Sequence, residues 1–532
     1  MNSLRVLDVT LRDGGCVNNF NFGQQSMDRI LDALEQSGVD FIELGYLDQN
    51  KGSEQGRTQY CNEQVISKYF LKRKKPGTVY VAMMDYGKFD VDKLQPCDGS
   101  GIDGIRVAFH KKDRHNVIAV GKTIMEKGYR FYVQPMITLR YSDAELLELI
   151  EDVNHELPNA SGFYIVDSFG EMRQNDMNRI MNLVDHNLLP SMPLGFHSHN
   201  NLQLSYSNAV ALLQFPTNRD LMLDCSIMGM GKGAGNLNTE LLLEHLNLYY
   251  GKHYRTDPLL SVIDSVINQI RAEYYWGYSI EYYLSSINHC TPSYAGHFYN
   301  KHMLPIDQVA ELLGMIHEDK KISFDKDYAE QLYLEYNARK KANDTEVIEQ
   351  LKERFQNKRV LLIAPGKSIL QAENRIREEL EDPNTVSIAL NNWVNFDTDY
   401  VFATRHEALS GAISAGKKII TTSSVCEKGN LDVFVIDYQK WVVVDGEVQD
   451  SSGIVTINLL KECGVSELVL AGFDGFHMNY SKNYYDKAMN HPVTAEQVEK
   501  RNAYFKRYIS NLSKSIPVTF LTPSLYEDKI DE

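Results

Sequence analysis

The sequence predicts an α/β protein: a (β/α)8 TIM barrel followed by a helical extension and a C-terminal Rossmann-like α/β domain. Three observations carry this. From residue 4 to about 250, short β-rich apolar runs alternate with longer amphipathic stretches, as in repeated βα units around a parallel sheet. There are eight such runs, the number that closes a barrel. A second series of strand-like runs opens near residue 358. At 532 residues the chain also exceeds what one hydrophobic core organises, so more than one domain is required.

In order, the first series is LRVLDVT from Leu4, FIELGY from Phe41, TVYVAMM from Thr78, GIRVAF from Gly104, FYVQPMI from Phe131, GFYIVDS from Gly162, PLGFHSH from Pro193 and LMLDCSI from Leu221. Between them lie helix-like segments. In SMDRILDALEQSG, Ile30, Leu31 and Leu34 recur at helical spacing, and in SDAELLELIEDVNHE either Ser142 or Asp143 is placed to cap the start. Residues 256–357 lose the strand pattern and read as helices, ending in the charged stretch EYNARKKANDTEVIEQLKERFQNK. The second series comprises RVLLI, TVSIAL, YVFAT, KKIITTS, LDVFVID, ELVLAGF and VTFLT, an open doubly wound sheet. The expected domains are therefore 1–255, 256–357 and 358–532.

A hydrophobic fraction of 43% and a charged fraction of 24% are ordinary for a globular chain. The net charge of -16 opposes attraction to phosphate backbones or anionic lipid, so neither nucleic acid nor membrane is expected as a partner. Seven scattered cysteines, never arranged as CxxC, signal neither a disulfide framework nor a thiolate zinc site. MNSLRVLDVT carries no export signal and no apolar run in the sequence approaches membrane-spanning length, so a cytoplasmic location is expected, as a homo-oligomer.

The chemistry concentrates at strand ends. Asp13 follows the first strand in DVTLRDGG, and His197 and His199 close the seventh in HSHN. In a barrel the carboxyl ends of all strands converge on one face, so these distant residues meet. Two histidines spaced by two share one side of an extended segment, and a carboxylate completes a facial N,N,O set with positions open for substrate. Without a thiolate, this set favours Mn²⁺, with Mg²⁺, Fe²⁺, Co²⁺ and Zn²⁺ as alternatives. Glu43 and Asp8 stand where they can orient Arg12 or a ligand, or serve as buried structural carboxylates.

DVTLRDGG, the Asp-Ser of FYIVDSFGEM, GFHSHNNLQLSYSNAVALL and SIMGMGKGAGNLNTELL together resemble the metal-dependent pyruvate aldolase and HMG-CoA lyase superfamily. Within it they are most similar to the 4-hydroxy-2-oxovalerate aldolases, over residues 4 to about 300. The resemblance implies metal ligation by Asp13, His197 and His199, with Asn236 ligating or supporting the ion. It also implies Arg12 as the group that stabilises an enolate, Ser168 as a substrate contact or a turn residue, and Tyr278 near the substrate. The implied reaction is cleavage of a 4-hydroxy-2-oxo acid to pyruvate and an aldehyde, or the reverse, in glycan or sugar-acid metabolism. An acyl-CoA-condensing synthase and a non-catalytic metal-binding scaffold are the rival readings. One departure stands out: these aldolases carry a base histidine three places beyond the metal aspartate, and this chain has Cys16 there. Either a water or another residue takes the proton, or Cys16 does, or the reaction differs.

In VLLIAPGKSIL a glycine turn joins a strand to a helix start, an arrangement that presents backbone amides to phosphate. It is not a Walker A loop, because the first glycine of that motif would fall at Leu361, inside the strand. SSGIVTINLLKECGVSELVLAGFDGF resembles a region of sialyltransferase-like glycan-biosynthesis domains. Gly366, Ser368 and Asp474 are the candidate contacts for a nucleotide or sugar phosphate.

Overall fold

The computed structural model describes residues 3–70, 74–301, 304, 306–392, 396–426, 432–443, 448, 451–485 and 495–527. The chain divides into two compact units, Met1–Pro292 and Ser293–Glu532.

In the first unit eight parallel strands close into a barrel: β1 Leu4–Asp8, β2 Phe41–Leu47, β3 Val79–Asp85, β4 Gly104–Phe109, β5 Arg130–Pro135, β6 Gly162–Asp167, β7 Leu194–Ser198 and β8 Leu221–Cys225. Each pairs with the next, and β1 pairs with both β8 and β2, which leaves no edge. All eight runs read from the sequence are strands. They are legible because a strand covered on both faces is apolar almost throughout, as in β4, where all six residues are buried. A two-residue strand, Gln59–Tyr60, adds outside β2 and was not anticipated. Helix α1, Gln24–Ser37, buries Met27, Ile30, Leu31 and Leu34 against the strands and stops at Gly38, whose positive φ of 80° suits a helix end. Helix α2, Asp143–Glu156, starts on a reciprocal cap between Ser142 and Glu145, so Ser142 is the capping residue.

The barrel interior is layered. Leu7, Phe41, Val81 and Tyr132 belong to an apolar cluster within it. Above them, alternate strands β2, β4, β6 and β8 supply Glu43, Arg106, Tyr164 and Asp224, the alternation expected for one layer of such a barrel. The Arg106 guanidinium lies 4.7 Å from the centre of the Tyr164 ring. Gly195 in β7 makes room for that ring, because a Cβ there would stand 2.4 Å from it.

The second unit holds a seven-stranded parallel sheet: β9 Arg359–Ile363, β10 Thr385–Leu390, β11 Tyr400–Ala403, β12 Ile419–Thr422, β13 Val433–Ile436, β14 Glu467–Ala471 and β15 Val518–Phe520. Its order is β13-β12-β11-β10-β9-β14-β15, so the direction of winding reverses between β9 and β14. The segment 256–357 is helical and is shared between the two units. Its last helix, α3 Thr345–Phe355, is charged on one side but packs Ile348, Leu351 and Phe355 into the core of the second unit. Among the described residues no helix is long and apolar enough to cross a membrane.

Candidate metal centre

The site begins where β1 ends. The carbonyl of Val9 accepts the amides of Arg12 (3.1 Å) and Asp13 (2.8 Å), a tight turn that carries both side chains over the barrel mouth. Across the mouth, His197 and His199 project from β7 and the residue after its end, with ring centres 5.2 Å apart and planes nearly perpendicular. Ligand-capable atoms of Asp13, His197 and His199 all lie within 4.8 Å of one another, and all three residues are buried. Asp13 Oδ2 accepts from the Asn236 amide at 2.8 Å and from the Lys232 backbone at 3.2 Å, and its other oxygen takes Arg12 at 2.6 Å. Gly231 permits this approach, because a Cβ would come within 2.5 Å of the carboxylate and 2.2 Å of the Asn236 amide.

Behind the three residues runs a chain of buried charge. Arg12 Nε meets Glu43 at 2.6 Å, Glu43 meets Arg106 at 2.9 Å, Arg106 pairs with Asp224, and Asp224 meets His197 Nδ1 at 3.0 Å. With Nδ1–H donated to Asp224, the Nε2 lone pair of His197 is left for a metal ion. Three carboxylates (Asp13, Glu43, Asp224) face two guanidinium groups (Arg12, Arg106), so the cluster carries one net negative charge in the barrel interior. Such a cluster suits a cation.

Burial by itself raises the Asp13 carboxyl, but Arg12, His199, His197 and the Asn236 amide outweigh it and hold the group well below the usual carboxylate range. Burial pushes His199 down to about 4 against the pull of Asp13, so near neutral pH it is the unprotonated, ligand-competent imidazole. Among the buried polar atoms without a hydrogen-bond partner are His199 Nδ1, Asn236 Oδ1 and Arg12 Nη2 at this site. Buried polar groups seldom stay unpaired, and here they surround the point that an ion and its substrate would share. The donor set of one carboxylate, two imidazoles and an amide oxygen fits a divalent cation.

The other expected residues are more varied. Cys16 ends a short 3-10 turn, Gly14–Cys16, and is open to solvent at the mouth. Even so, the protein around its sulfur and the nearby Asp13 carboxylate push the thiol up to about 12. Ser168 accepts from the amide of Ile137 at 3.0 Å, steadying a residue with φ of 54°. Tyr278 is half exposed, and its carbonyl accepts from the Tyr275 hydroxyl. Glu43 does orient Arg12, whereas Asp8 accepts from Thr239 and Thr10 and lies outside the charge chain. In VNNFNFG, Asn18 donates to Asn21 and so shapes its own loop. Four residues of the site were not anticipated from the sequence: Arg106, Asp224, Tyr46 and Asp85. A charged residue inside an apolar strand, as in GIRVAF and LMLDCSI, was the available signal for the first two. Tyr46 donates to Asp85 at 2.6 Å, at the carboxyl ends of β2 and β3. Burial and the Asp85 carboxylate push its phenol well above the ordinary tyrosine range, against the pull of Arg12.

Asp167, at the end of β6, accepts the Glu171 and Met172 amides, yet burial pushes its carboxyl from 3.8 up to about 7. A folded-state pKa above the unfolded one means a contribution to stability that is present in acid and lost as pH rises through 7. Asp167→Asn does not titrate there. Thermal unfolding is expected to show the variant gaining on the wild type by about 2 kcal/mol between roughly pH 5 and pH 8. A gap that narrows or stays constant over that range contradicts the burial argument.

In the second unit, Ser368 gives its amide (2.8 Å) and its hydroxyl to Asp474, and the Gly366 amide is donated to Gly472.

Residues 3–261 match the sequence profile described as HMGL-like. A 4-hydroxy-2-oxovalerate aldolase of Geobacillus genomosp. 3 is 27% identical over 250 residues, which is 46% of this chain and 71% of the relative. A second aldolase of that name, from Comamonas testosteroni, is 28% identical over 247 residues, 45% of this chain and 67% of the relative. Among solved structures, Rhizobium etli pyruvate carboxylase is 12% identical with a TM-score of 0.50, covering 66% of this chain and 39% of that one, a likeness of fold alone.

Proposed function

We propose that this HMGL-like barrel is a divalent-metal-dependent aldolase, which cleaves a 4-hydroxy-2-oxo acid to pyruvate and an aldehyde or runs the reverse condensation. The carrying observation is the buried Asp13, His197 and His199 set beside an Arg12 nitrogen that has no partner. In the cleavage direction the C4 hydroxyl loses its proton, the C3–C4 bond breaks to release the aldehyde, its electron pair is taken up as the C2–C3 enolate, and a proton returned to C3 completes pyruvate. Asp13, His197 and His199 would hold a divalent ion, Mn²⁺ being favoured by the oxygen and imidazole donors, and it would supply Lewis-acid polarisation of the 2-oxo group.

Arg12 directs its free Nη2 at the oxygen on which negative charge develops, while Glu43 and Asp13 fix its other nitrogens. Burial lowers and Glu43 and Asp13 raise its pKa, with a net upward shift, so it stays a cation throughout. The proton is a separate matter. A thiol pushed up to about 12 is not a base at neutral pH, so Cys16 lines the mouth without accepting the proton. The hydrogen-bonded Tyr46–Asp85 pair, beside Cys16 and Arg12, takes that role: burial and Asp85 keep the phenol protonated, so its oxygen takes the C4 hydroxyl proton as it passes its own to the Asp85 carboxylate, the final acceptor.

Coupled detection of pyruvate released from racemic 4-hydroxy-2-oxo acids of increasing chain length, with Mn²⁺ present, tests the activity. No pyruvate from any of them refutes it. Tyr46→Phe is expected to lower kcat by about a hundredfold with Mn²⁺ affinity unchanged, and Cys16→Ala by less than about tenfold. The reverse order of effects would return the proton to Cys16.

A further inference from the structure

The second unit contains a cavity of about 230 Å³ that the barrel chemistry does not use. It opens at the carboxyl ends of β9, β10, β11, β12 and β14, where Gly366, Asn391, Thr404, Thr422 and Gly472 line it. It therefore sits at the reversal of winding between β9 and β14, the position where open parallel sheets hold ligands.

Its wall has two kinds of chemistry. Arg405, just past β11, is partly buried on the cavity, and among the described residues no hydrogen bond or carboxylate pairs with its guanidinium. Burial lowers its pKa, with only weak opposing influence from Tyr484 and Glu407, as expected of a cation lacking a counter-charge. Helix α4, Ser452–Glu462, points its amino end at the same cavity through Ser451, Ser452 and Gly453. Its N-cap Ser451 side chain caps none of the first-turn amides, which leaves them free for an acceptor. Among the described residues the one carboxylate on the wall, Asp474, is already engaged by the Ser368 amide and hydroxyl. Part of the remaining wall is aromatic: Phe505 and Tyr526 stack at 5.1 Å between ring centres, Phe473 and Phe476 also line the cavity, and the Arg501 guanidinium lies 5.3 Å from the Phe476 ring centre.

An unpaired cation with free helix amides fits a phosphate dianion, and a stacked aromatic pair lining the same cavity fits a planar ring. We propose that this cavity binds a nucleotide, with its phosphate at Arg405 and the amino end of α4 and its base against the aromatic wall. The strand-to-helix turn at Gly366 and Ser368, the segment that most suggested phosphate in the sequence, forms the rim, because Asp474 has consumed the Ser368 donors.

Calorimetric titration of the full-length protein in EDTA, which removes any ion from the barrel, tests this with CMP, UMP, AMP and UDP. The matching nucleosides and glucose 1-phosphate are the comparison probes. At least one nucleotide is expected to bind about tenfold or more tighter than both its nucleoside and glucose 1-phosphate. Arg405→Ala is expected to weaken that nucleotide by about tenfold or more, and Arg405→Lys less. Absence of binding by all four nucleotides, a nucleoside as tight as its nucleotide, or glucose 1-phosphate as tight as any of them overturns the proposal. So does unchanged affinity in an Arg405→Ala protein whose circular dichroism matches the wild type. Should that variant not fold, the nucleotide-to-nucleoside ratio in the wild type decides alone.

Discussion

Asp13→Asn is expected to lose divalent-ion binding and turnover together, with kcat/KM falling by about a thousandfold or more. The substitution removes one ligand oxygen, and it also cancels the net negative charge of the buried cluster, because two carboxylates then face two guanidinium groups. Arg12 keeps its contact with Glu43, so the fold should survive and the thermal transition should move little. Calorimetry with Mn²⁺ on the folded variant separates a lost ligand from a lost structure. Retained stoichiometric binding at wild-type affinity would remove Asp13 from the site.

The second large effect is on stability. Arg106 is fully buried and is the shared partner of Glu43 and Asp224, so Arg106→Met leaves the three carboxylates of the cluster facing the one guanidinium of Arg12, with Asp224 keeping only its contact with His197. Breaking a buried ion pair from one side costs about 3–5 kcal/mol, which for a unit of this size lowers Tm by about 10 °C. The pH dependence has a definite sign. In the wild type, burial raises Asp224 but Arg106 and His197 outweigh it and depress its pKa, a contribution to stability present above the unfolded carboxylate pKa and lost in acid. Without Arg106 the same group favours its protonated form, so the variant's deficit is expected to widen from acid toward pH 8. A deficit that is constant with pH, or smaller than about 1 kcal/mol, would show that the layer carries no uncompensated charge in the variant.

Much of this was legible in the sequence because barrel strands are covered on both faces and read as apolar runs, and because strand-end residues converge whatever the loops do. Asp13, His197 and His199 could be proposed as a set from that rule together with their ligand chemistry and the family resemblance. Arg106 and Asp224 could not, since their meeting depends on which strands alternate within one interior layer of the closed barrel. Tyr46 was hidden for a local reason: the pairing of β2 with β3 shifts register between Glu43 and Tyr46, so simple alternation from Glu43 does not fix where Tyr46 points. In the second unit the turn at Gly366 carried a phosphate signal that sequence could weigh. The engagement of Ser368 by Asp474 and the lack of a counter-charge at Arg405 arise only when separate strand ends come together.

A divalent ion held at Asp13, His197 and His199 would, with Arg12, labilise the methyl protons of pyruvate. Mass spectrometry of pyruvate recovered from D2O after incubation with the Mn²⁺-loaded protein tests this without knowledge of the aldehyde. Deuterium incorporation well above the buffer rate, abolished by EDTA and in Asp13→Asn, is the expected result. Protein that binds one Mn²⁺ yet exchanges no pyruvate protons beyond the buffer rate would contradict it.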